Sequence, residues 1–393
     1  MTPSPLTVLR NASVYAPESL GTTDVLIGGG QVLGIGRFPT LAIADEVDLA
    51  GLTLIPGLVD LHTHLTGGGG EGGAETRVPP VALSALVGAG VTTAVGLLGT
   101  DCETRSVAEN LACARGLEAL GLTTYCYTGG YCVPPVTLTG SVRGDIVHVD
   151  RIIAVGEVAI SDHRSSQPTV EEIARLAAEA HVAGMLTKKA GILHLHLGDG
   201  QRGLHPIRRI LADTELPARV FHPTHVNRNP RLWEEAKALA HEGCTVDVTA
   251  FPKDDPALPG APSAGQAIFE WWTLGLPAER LTVSSDGGGC LPQFDDDGVL
   301  LAMGVGSSAT LLEAVAEATA LGCPLAYALG PVTATPAGHF RLRGKGRIAA
   351  GLHADLVALD GFRVVHVWAG GRCLMRDGVP LVRGLFERGA PRG

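Results

Sequence analysis

The sequence of 393 residues predicts an α/β fold, a (β/α)8 TIM-like barrel with a small β-sandwich domain built from both chain ends. Short apolar segments alternate with helical segments through the middle of the chain, which is typical of a closed parallel barrel. The two ends show alternating strands broken by glycine turns. We therefore predict a β-sandwich domain from residues 1–55 and 341–393, and a barrel from residues 56–340.

Eight barrel strands can be placed in order along the chain. They are GLVDLHTH, TTAVGLLG, TTYCYTGG, RIIAVGEVAI, GILHLHLG, RVFHPTHV, TVDVTA and LTVSSDGGG. An open, doubly wound sheet is the alternative, and it usually has a glycine-rich phosphate loop after its first strand. The tract GGGGEGG follows two histidines and opens no helix, so we interpret it as a flexible active-site loop.

The composition of the chain argues against several classes of function. The formal net charge of -10 argues against a nucleic-acid partner or an acidic membrane surface. No apolar run is long enough to span a membrane, and the N-terminal residues do not resemble a signal peptide. The eight cysteines form no CxxC pair, so neither a zinc knuckle nor a disulfide framework is indicated. We expect a cytoplasmic protein.

Histidines and carboxylates stand where the predicted strands end. These residues are His62, His64, Glu157, His196, His225 and Asp286. The carboxyl ends of barrel strands form the rim where active sites lie. Alternate residues of a strand point to the same side, so the first two histidines can bind one ion. Imidazole and carboxylate ligands favour Zn²⁺, with Mn²⁺, Fe²⁺ or Co²⁺ as alternatives.

Each of these signals has a plainer explanation when taken alone. An HxH pair on a strand is more often a packing feature, and Asp286 in SSDG could be an ordinary turn residue. We expect His194 to fill the barrel interior below the rim, and Asp60 to be a hydrogen-bond partner rather than a ligand. A metal site is favoured because histidines and carboxylates occur together at the ends of five predicted strands.

Several motifs resemble those of a known family. PGLVDLHTHL, SSDG and GKGRIAAGLHADLVALD are similar to the metal-dependent amidohydrolase superfamily. TGGGGEGG, YTGGY, AISDHRSS, HLGDG and PTHVNR resemble, more narrowly, the bacterial isoaspartyl dipeptidase family. The resemblance implies a barrel with a β-sandwich, two zinc ions, and hydrolysis of β-aspartyl dipeptides by a metal-bound hydroxide.

The resemblance also implies roles for individual residues. His62, His64 and Asp286 would bind one ion, and His196 and His225 the other. Glu71 would bind the substrate ammonium, while Arg164 and Arg228 would bind its carboxylates. Tyr131 would donate a hydrogen bond to the developing oxyanion. Asp286 would act as general base and then general acid.

The chain departs from the family pattern at two positions. The family bridges its two ions with a carboxylated lysine, and Glu157 stands at that position here. A glutamate is shorter, so we expect either the strand or the ions to shift. Cys290 stands where the family has a serine near the substrate, and a thiol is the weaker hydrogen-bond donor.

The sequence is also compatible with other functions. One is a different amidohydrolase, either a cyclic amidase of the dihydropyrimidinase type or an N-acyl-amino-acid deacylase. Another is a non-catalytic assembly protein on the same fold. The expected partners are a small dipeptide substrate and further copies of the chain in a homo-oligomer, with no nucleic acid and no membrane.

Overall fold

The computed structural model describes residues 6–252, 260–294 and 300–387. Its strands are β1 Leu6–Tyr15, β2 Ser19–Gly28, β3 Gln31–Gly36, β4 Ala44–Asp48, β5 Thr53–Pro56, β6 Leu58–Thr63, β7 Val91–Gly96, β8 Thr123–Thr128, β9 Ile152–Ile160, β10 Leu193–Leu197, β11 Phe221–Thr224, β12 Val246–Thr249, β13 Leu281–Ser284, β14 Cys290–Phe294, β15 Leu300–Val305, β16 Leu356–Asp360, β17 Arg363–Ala369, β18 Arg372–Arg376 and β19 Val379–Pro380. Its α-helices are α1 Leu83–Gly88, α2 Val107–Ala119, α3 Val142–His148, α4 Val170–Thr187, α5 His205–Asp213, α6 Pro230–His241, α7 Ala264–Thr273, α8 Thr310–Ala320, α9 Leu325–Ala328 and α10 Ala334–His339.

Strands β6 to β13 form the predicted parallel barrel. Strands β6 to β11 pair in chain order, and β12 pairs with β13. The N–H of Val226 donates to the carbonyl of Asp247 at 3.3 Å, which joins the end of β11 to β12. The N–H of His64 donates to the carbonyl of Gly287 at 2.8 Å, which joins β13 back to β6. The eight strands predicted from the sequence are confirmed, and the ring closes as a barrel rather than an open sheet.

The helices between the strands begin at residues suited to helix N-termini. The Thr169 side chain accepts the N–H of Glu172, whose carboxylate accepts the N–H of Thr169 in return. Ser263 and Gln266 make the same reciprocal pair at the start of α7. Each such cap contributes about 1 kcal/mol and fixes where the chain leaves the rim loop.

The lower barrel interior is filled by large apolar side chains. Leu61, Val95, Tyr127 and Ile153 come from four strands, and Phe340 closes the bottom from beyond α10. All are at most 3% exposed. Burial of each such side chain contributes about 1.5–3 kcal/mol. This floor supports the polar side chains that lie above it.

Both chain ends contribute to one nine-stranded sheet. Its order is β19-β18-β17-β16-β5-β1-β2-β3, and β4 also pairs with β1. Ile55 of β5 lies opposite Val357 of β16, so the N-terminal and C-terminal parts meet in the middle of the sheet. A separate apolar core that includes Leu9, Ile27 and Trp368 stabilises it. The predicted β domain from both ends is therefore confirmed, while the boundaries at residues 55 and 341 stay a prediction.

Within the described part of the chain, we find no helix that has both the length and the apolar character needed to cross a membrane.

Candidate active site

Two histidines at the end of β6 face an aspartate in the loop after β13. Nε2 of His62 lies 3.4 Å from Oδ1 of Asp286, and Nε2 of His64 lies 3.0 Å from the same oxygen. All three residues are buried. The Asp60 carboxylate accepts hydrogen bonds from the hydroxyls of Ser285 and Ser308, so it ties β6 to the loop that carries Asp286. The sequence prediction that Asp60 supports the site without entering it agrees with this arrangement.

The carboxylate of Glu157 lies between the four histidines. Oε1 is 3.5 Å from Nε2 of His62 and 3.6 Å from Nε2 of His64. Oε2 is 3.2 Å from Nδ1 of His196 and 3.4 Å from Nε2 of His225. Each oxygen therefore faces a different pair of imidazoles.

A register shift in β9 brings Glu157 to this point. Val155 pairs with Leu193 of β10, but Val158 pairs with Leu195, so β9 has one additional residue here. Gly156 makes the shift possible, because a Cβ atom at this position would lie 2.7 Å from the Cβ of His194. The sequence predicts that either the strand or the ions shift to accommodate a short glutamate, and β9 has a register shift directly beside Glu157.

The pKa values show that the site attracts positive charge. Burial raises the pKa of Glu157, but the charge of His62 and hydrogen bonds with the surrounding histidines outweigh it, so the pKa falls well below its usual value. Asp286 shows the same balance, and its pKa is lowered by His62 and His64. Burial lowers the pKa of His225 to about 3, so its imidazole is neutral and can donate a lone pair. Both carboxylates are charged at neutral pH.

His196 connects this cluster to a tyrosine and a second aspartate. Its Nδ1 lies 2.8 Å from the hydroxyl of Tyr131, and its Nε2 lies 2.9 Å from Oδ2 of Asp162. Nη2 of Arg164 donates to the same Asp162 oxygen at 2.8 Å. Burial raises the pKa of Asp162, but these two hydrogen bonds outweigh it and hold the pKa far below its usual range. The carboxylate thus orients His196 and Arg164 together.

A cavity of about 480 Å³ opens above the cluster. All four predicted substrate-binding residues line it, together with several of the predicted ligands and Tyr131: the set is Glu71, Arg164, Arg228, Cys290, His64, Glu157, His196, Asp286 and Tyr131. His62 and His225 lie deeper. The structure therefore brings every predicted site residue to one end of the barrel.

The predicted substrate-binding residues include carboxylate and guanidinium groups that lie close together. Sγ of Cys290 lies 3.1 Å from Oε1 of Glu71, and Nη1 of Arg164 lies 3.7 Å from the same oxygen. Burial and the adjacent Glu71 carboxylate raise the pKa of Cys290, so the thiol stays protonated and can donate to Glu71. Nη1 of Arg228 lies 3.7 Å from Oδ2 of Asp199, and its buried Nε has no hydrogen-bond partner among the described residues.

The amidohydrolase family profile matches residues 53–374 of the chain. The chain belongs to the amidohydrolase family. Its fold is similar to that of the β-aspartyl dipeptidase from thermophilic keratin-degrading Fervidobacterium islandicum AW-1 in complex with β-Asp-Leu dipeptide. That structure has a TM-score of 0.90 and 44% identity, over 95% of this chain and 98% of that chain.

Two further relatives of this amidohydrolase have lower sequence identity with it. Imidazolonepropionase of Streptomyces coelicolor is 27% identical over 418 residues, which cover 98% of this chain and 93% of the relative. Dihydropyrimidinase of Brevibacillus agri NCHU1002 is 17% identical with a TM-score of 0.67, over 96% of each chain, and this likeness shows the fold alone. The prediction of a hydrolase is confirmed, and the non-catalytic interpretation loses its support.

An amidohydrolase implies divalent metal ions, and the residues present fit them. Nε2 of His62 is buried and has no hydrogen-bond partner within the described segments, although Oδ1 of Asp286 lies 3.4 Å away. Ligand atoms of His62, His64 and Asp286 lie within 4.8 Å of one another, as do those of His62, Glu157 and His225. Such nitrogen and oxygen donors suit Zn²⁺ and similar ions.

Sequence analysis missed Asp162 as a member of this amidohydrolase site. Asp162 lies in the motif AISDHRSS, from which the sequence predicts only Arg164 as a site residue. The available signal was a carboxylate two residues before Arg164, a predicted substrate-binding residue. Ser161, with a φ of 53°, turns the chain at the end of β9, and Asp162 follows this turn.

Proposed function

We propose that this amidohydrolase hydrolyses the β-linked peptide bond of isoaspartyl dipeptides with the help of divalent metal ions. The observation that carries this proposal is the placement of Glu71, Arg164 and Arg228 around the same cavity as the His and carboxylate cluster. The likeness to a β-aspartyl dipeptidase solved with β-Asp-Leu supports it.

The charges of the cavity complement those of the substrate. A β-aspartyl dipeptide carries one α-ammonium, one α-carboxylate on the aspartyl half and one terminal carboxylate. Glu71 suits the ammonium, and the guanidinium groups of Arg164 and Arg228 suit the two carboxylates. An α-linked peptide has no free α-carboxylate on its aspartyl half, so it would present its charges in the wrong places. The chain is acidic overall, which makes these local arginines necessary for an anionic substrate.

The ligands divide into two sets that share one carboxylate. His62, His64 and Asp286 would hold one ion, His196 and His225 the other, and Glu157 would reach both. When bound, divalent ions such as Zn²⁺ lower the pKa of water and polarise a carbonyl. Glu157 supplies a carboxylate directly, without the CO₂ that a carboxylated lysine requires.

Asp286 would transfer the proton, and Tyr131 would stabilise the tetrahedral oxyanion. The Asp286 carboxylate is ionised and lines the cavity, so it can take a proton from the attacking water and pass it to the leaving amine. Burial, assisted by the Glu157 charge, raises the pKa of Tyr131 well above its usual value. The phenol therefore remains protonated and can donate a hydrogen bond to the tetrahedral oxyanion.

Leucine release from β-Asp-Leu and α-Asp-Leu tests this proposal. Purified protein is assayed with added Zn²⁺ and, in parallel, with a chelator. We expect leucine to be released from the β-linked peptide only, and we expect the chelator to abolish this release. Absence of release from both peptides by metal-loaded protein would contradict the proposal, and cyclic amides and acylated amino acids would be assayed next.

The homo-oligomer and the cytoplasmic location remain predictions, which gel filtration and cell fractionation would test.

A further inference from the structure

Two cysteines meet beside the candidate active site on different rim loops. Cys102 lies in the loop of residues 97–106 after β7, and Cys132 in the loop of residues 129–141 after β8. Their Sγ atoms are 3.0 Å apart. Both are free thiols, with Cys102 buried and Cys132 half-buried. A disulfide needs an S–S distance of about 2.0 Å, so the two sulfurs must approach by about 1 Å.

The two loops are in close contact at this point and both line the cavity. The N–H of Tyr131 donates to the carbonyl of Gly99 at 3.4 Å. A Cβ added at Gly130 would lie 2.7 Å from the Cβ of Cys102, so the Cys102 side chain packs directly against the backbone of Gly130. Gly99 and Tyr131 both face the cavity. A covalent link between the cysteines would therefore hold the residue that contacts His196.

We propose that Cys102 and Cys132 form a peroxide-sensitive thiol pair, and that its disulfide fixes the Tyr131 loop and slows turnover. The effect on turnover rests on the proposed function, whereas formation of the disulfide does not.

The environments of the two thiols indicate which one reacts first with peroxide. The hydrogen bond with Cys102 lowers the pKa of Cys132 to about 7, although burial opposes this. The same hydrogen bond and burial raise the pKa of Cys102. A thiolate is the nucleophile in such reactions, so Cys132, which is also the more exposed, reacts first.

The reaction balances with hydrogen peroxide as oxidant. The Cys132 thiolate attacks one peroxide oxygen, the O–O bond breaks, and the released hydroxide takes up a proton to become water. Cys132 is then a sulfenic acid. The Cys102 sulfur attacks the sulfenic sulfur, the S–O bond breaks, and a second water leaves with the Cys102 proton. Two thiols are oxidised to one disulfide, and one peroxide is reduced to two waters.

The test compares metal-loaded wild type with C102S, C132S and C373S after brief peroxide treatment and removal of the peroxide with catalase. Cys373 is a half-buried thiol on β18, so C373S serves as the matched control. Intact mass, peptide mapping without reductant, hydrogen exchange of residues 129–141, and β-Asp-Leu turnover are measured before and after addition of a phosphine reductant.

We expect a cross-link between Cys102 and Cys132 in wild type and C373S, with slower hydrogen exchange in residues 129–141. Turnover should fall by about tenfold or more, because a displacement of about 1 Å near a reacting centre is costly, and should recover with the reductant. C102S and C132S should show neither effect, and dimedone should trap a sulfenic acid at Cys132 in C102S.

Two results would overturn the proposal. One is a sulfenic acid trapped at Cys132 in C102S while wild type, treated in the same way, forms no cross-link to Cys102. The other is a complete cross-link that changes neither hydrogen exchange of the Tyr131 loop nor turnover. If untreated wild type does not cleave β-Asp-Leu, the proposed function fails, and the mass and exchange measurements still decide whether the cysteine pair acts on this loop.

Discussion

Oε2 of Glu157 lies 3.4 Å from Nε2 of His225 at the barrel mouth. The opposite oxygen, Oε1, faces His62 and His64, so a single carboxylate contacts histidines from both halves of the candidate site. The strand reaches this position through one additional residue at Gly156. An unmodified side chain therefore lies between the two groups of residues proposed to hold the metal ions.

Replacement of Tyr131 by phenylalanine should reduce kcat and leave KM nearly unchanged. The hydroxyl would act only on the oxyanion, so its removal should lower kcat by about 10²–10³-fold. Steady-state kinetics with β-Asp-Leu would measure this. Y125F is the matched control, because Tyr125 lies on β8 but does not line the cavity. A large rise in KM with unchanged kcat would contradict the role assigned to Tyr131.

Replacement of Arg228 by methionine should mainly weaken substrate binding. Loss of hydrogen bonds to a charged carboxylate costs about 1.5–3 kcal/mol, which corresponds to a rise in KM of about 10- to 100-fold. R209M is the control, since Arg209 pairs with Asp213 at the surface. Comparison of β-Asp-Leu with its C-terminal amide would show whether Arg228 binds the terminal carboxylate. If kcat fell while KM stayed constant for both substrates, Arg228 would not be a binding residue.

Replacement of Cys290 by serine should leave activity within a few-fold of wild type. Sγ of Cys290 donates to Glu71, and a serine hydroxyl is the stronger donor at the same position. We therefore expect a slightly lower KM and an unchanged metal content. Kinetics and metal analysis of C290S and C290A would be compared. Complete loss of activity in C290S would indicate that the thiol binds metal or takes part in catalysis.

Asp24 should make the β domain sensitive to acid. Its carboxylate accepts hydrogen bonds from Nη1 of Arg10 and the N–H of Asn11, each at 3.0 Å. Burial alone would raise the pKa of Asp24, but these partners lower it overall. Because the folded-state pKa is depressed, the stabilisation is complete well above the unfolded-state value of about 3.9 and is lost as the pH falls through the folded-state value.

Chemical unfolding of D24N at two pH values checks this expectation. At pH 7 the variant should be less stable than wild type by about 2 kcal/mol, and the difference should narrow near pH 3. D213N, which alters an exposed surface pair, should behave like wild type at both values. An equal difference at pH 7 and pH 3 would show that ionisation of Asp24 does not contribute.

The sequence was sufficient to predict the elements that follow simple periodic patterns. The eight barrel strands are apolar runs, and their ends carry His62, His64, His225 and Asp286, so a parallel barrel brings these residues together at one rim. Side-chain direction follows from strand alternation, which is why the HxH pair could be placed correctly.

The features that local sequence patterns did not determine depend on contacts between distant segments. The register shift that places Glu157 arises from the packing of Gly156 against His194 on the next strand. Asp162 joins the site because a turn after β9 brings it to His196, which is remote in sequence. The pairing of Cys102 with Cys132 likewise depends on two rim loops that no local pattern connects.

The most direct measurement is a metal titration of the active enzyme. Protein is stripped of metal with a chelator, Zn²⁺ is added in steps, and bound metal per chain is compared with β-Asp-Leu turnover. We predict that turnover rises until two ions are bound, and that E157Q, although folded, binds at most one ion and has little activity because the shared negative charge is absent. Full turnover with a single bound ion per chain would contradict the account of Glu157 as a bridge.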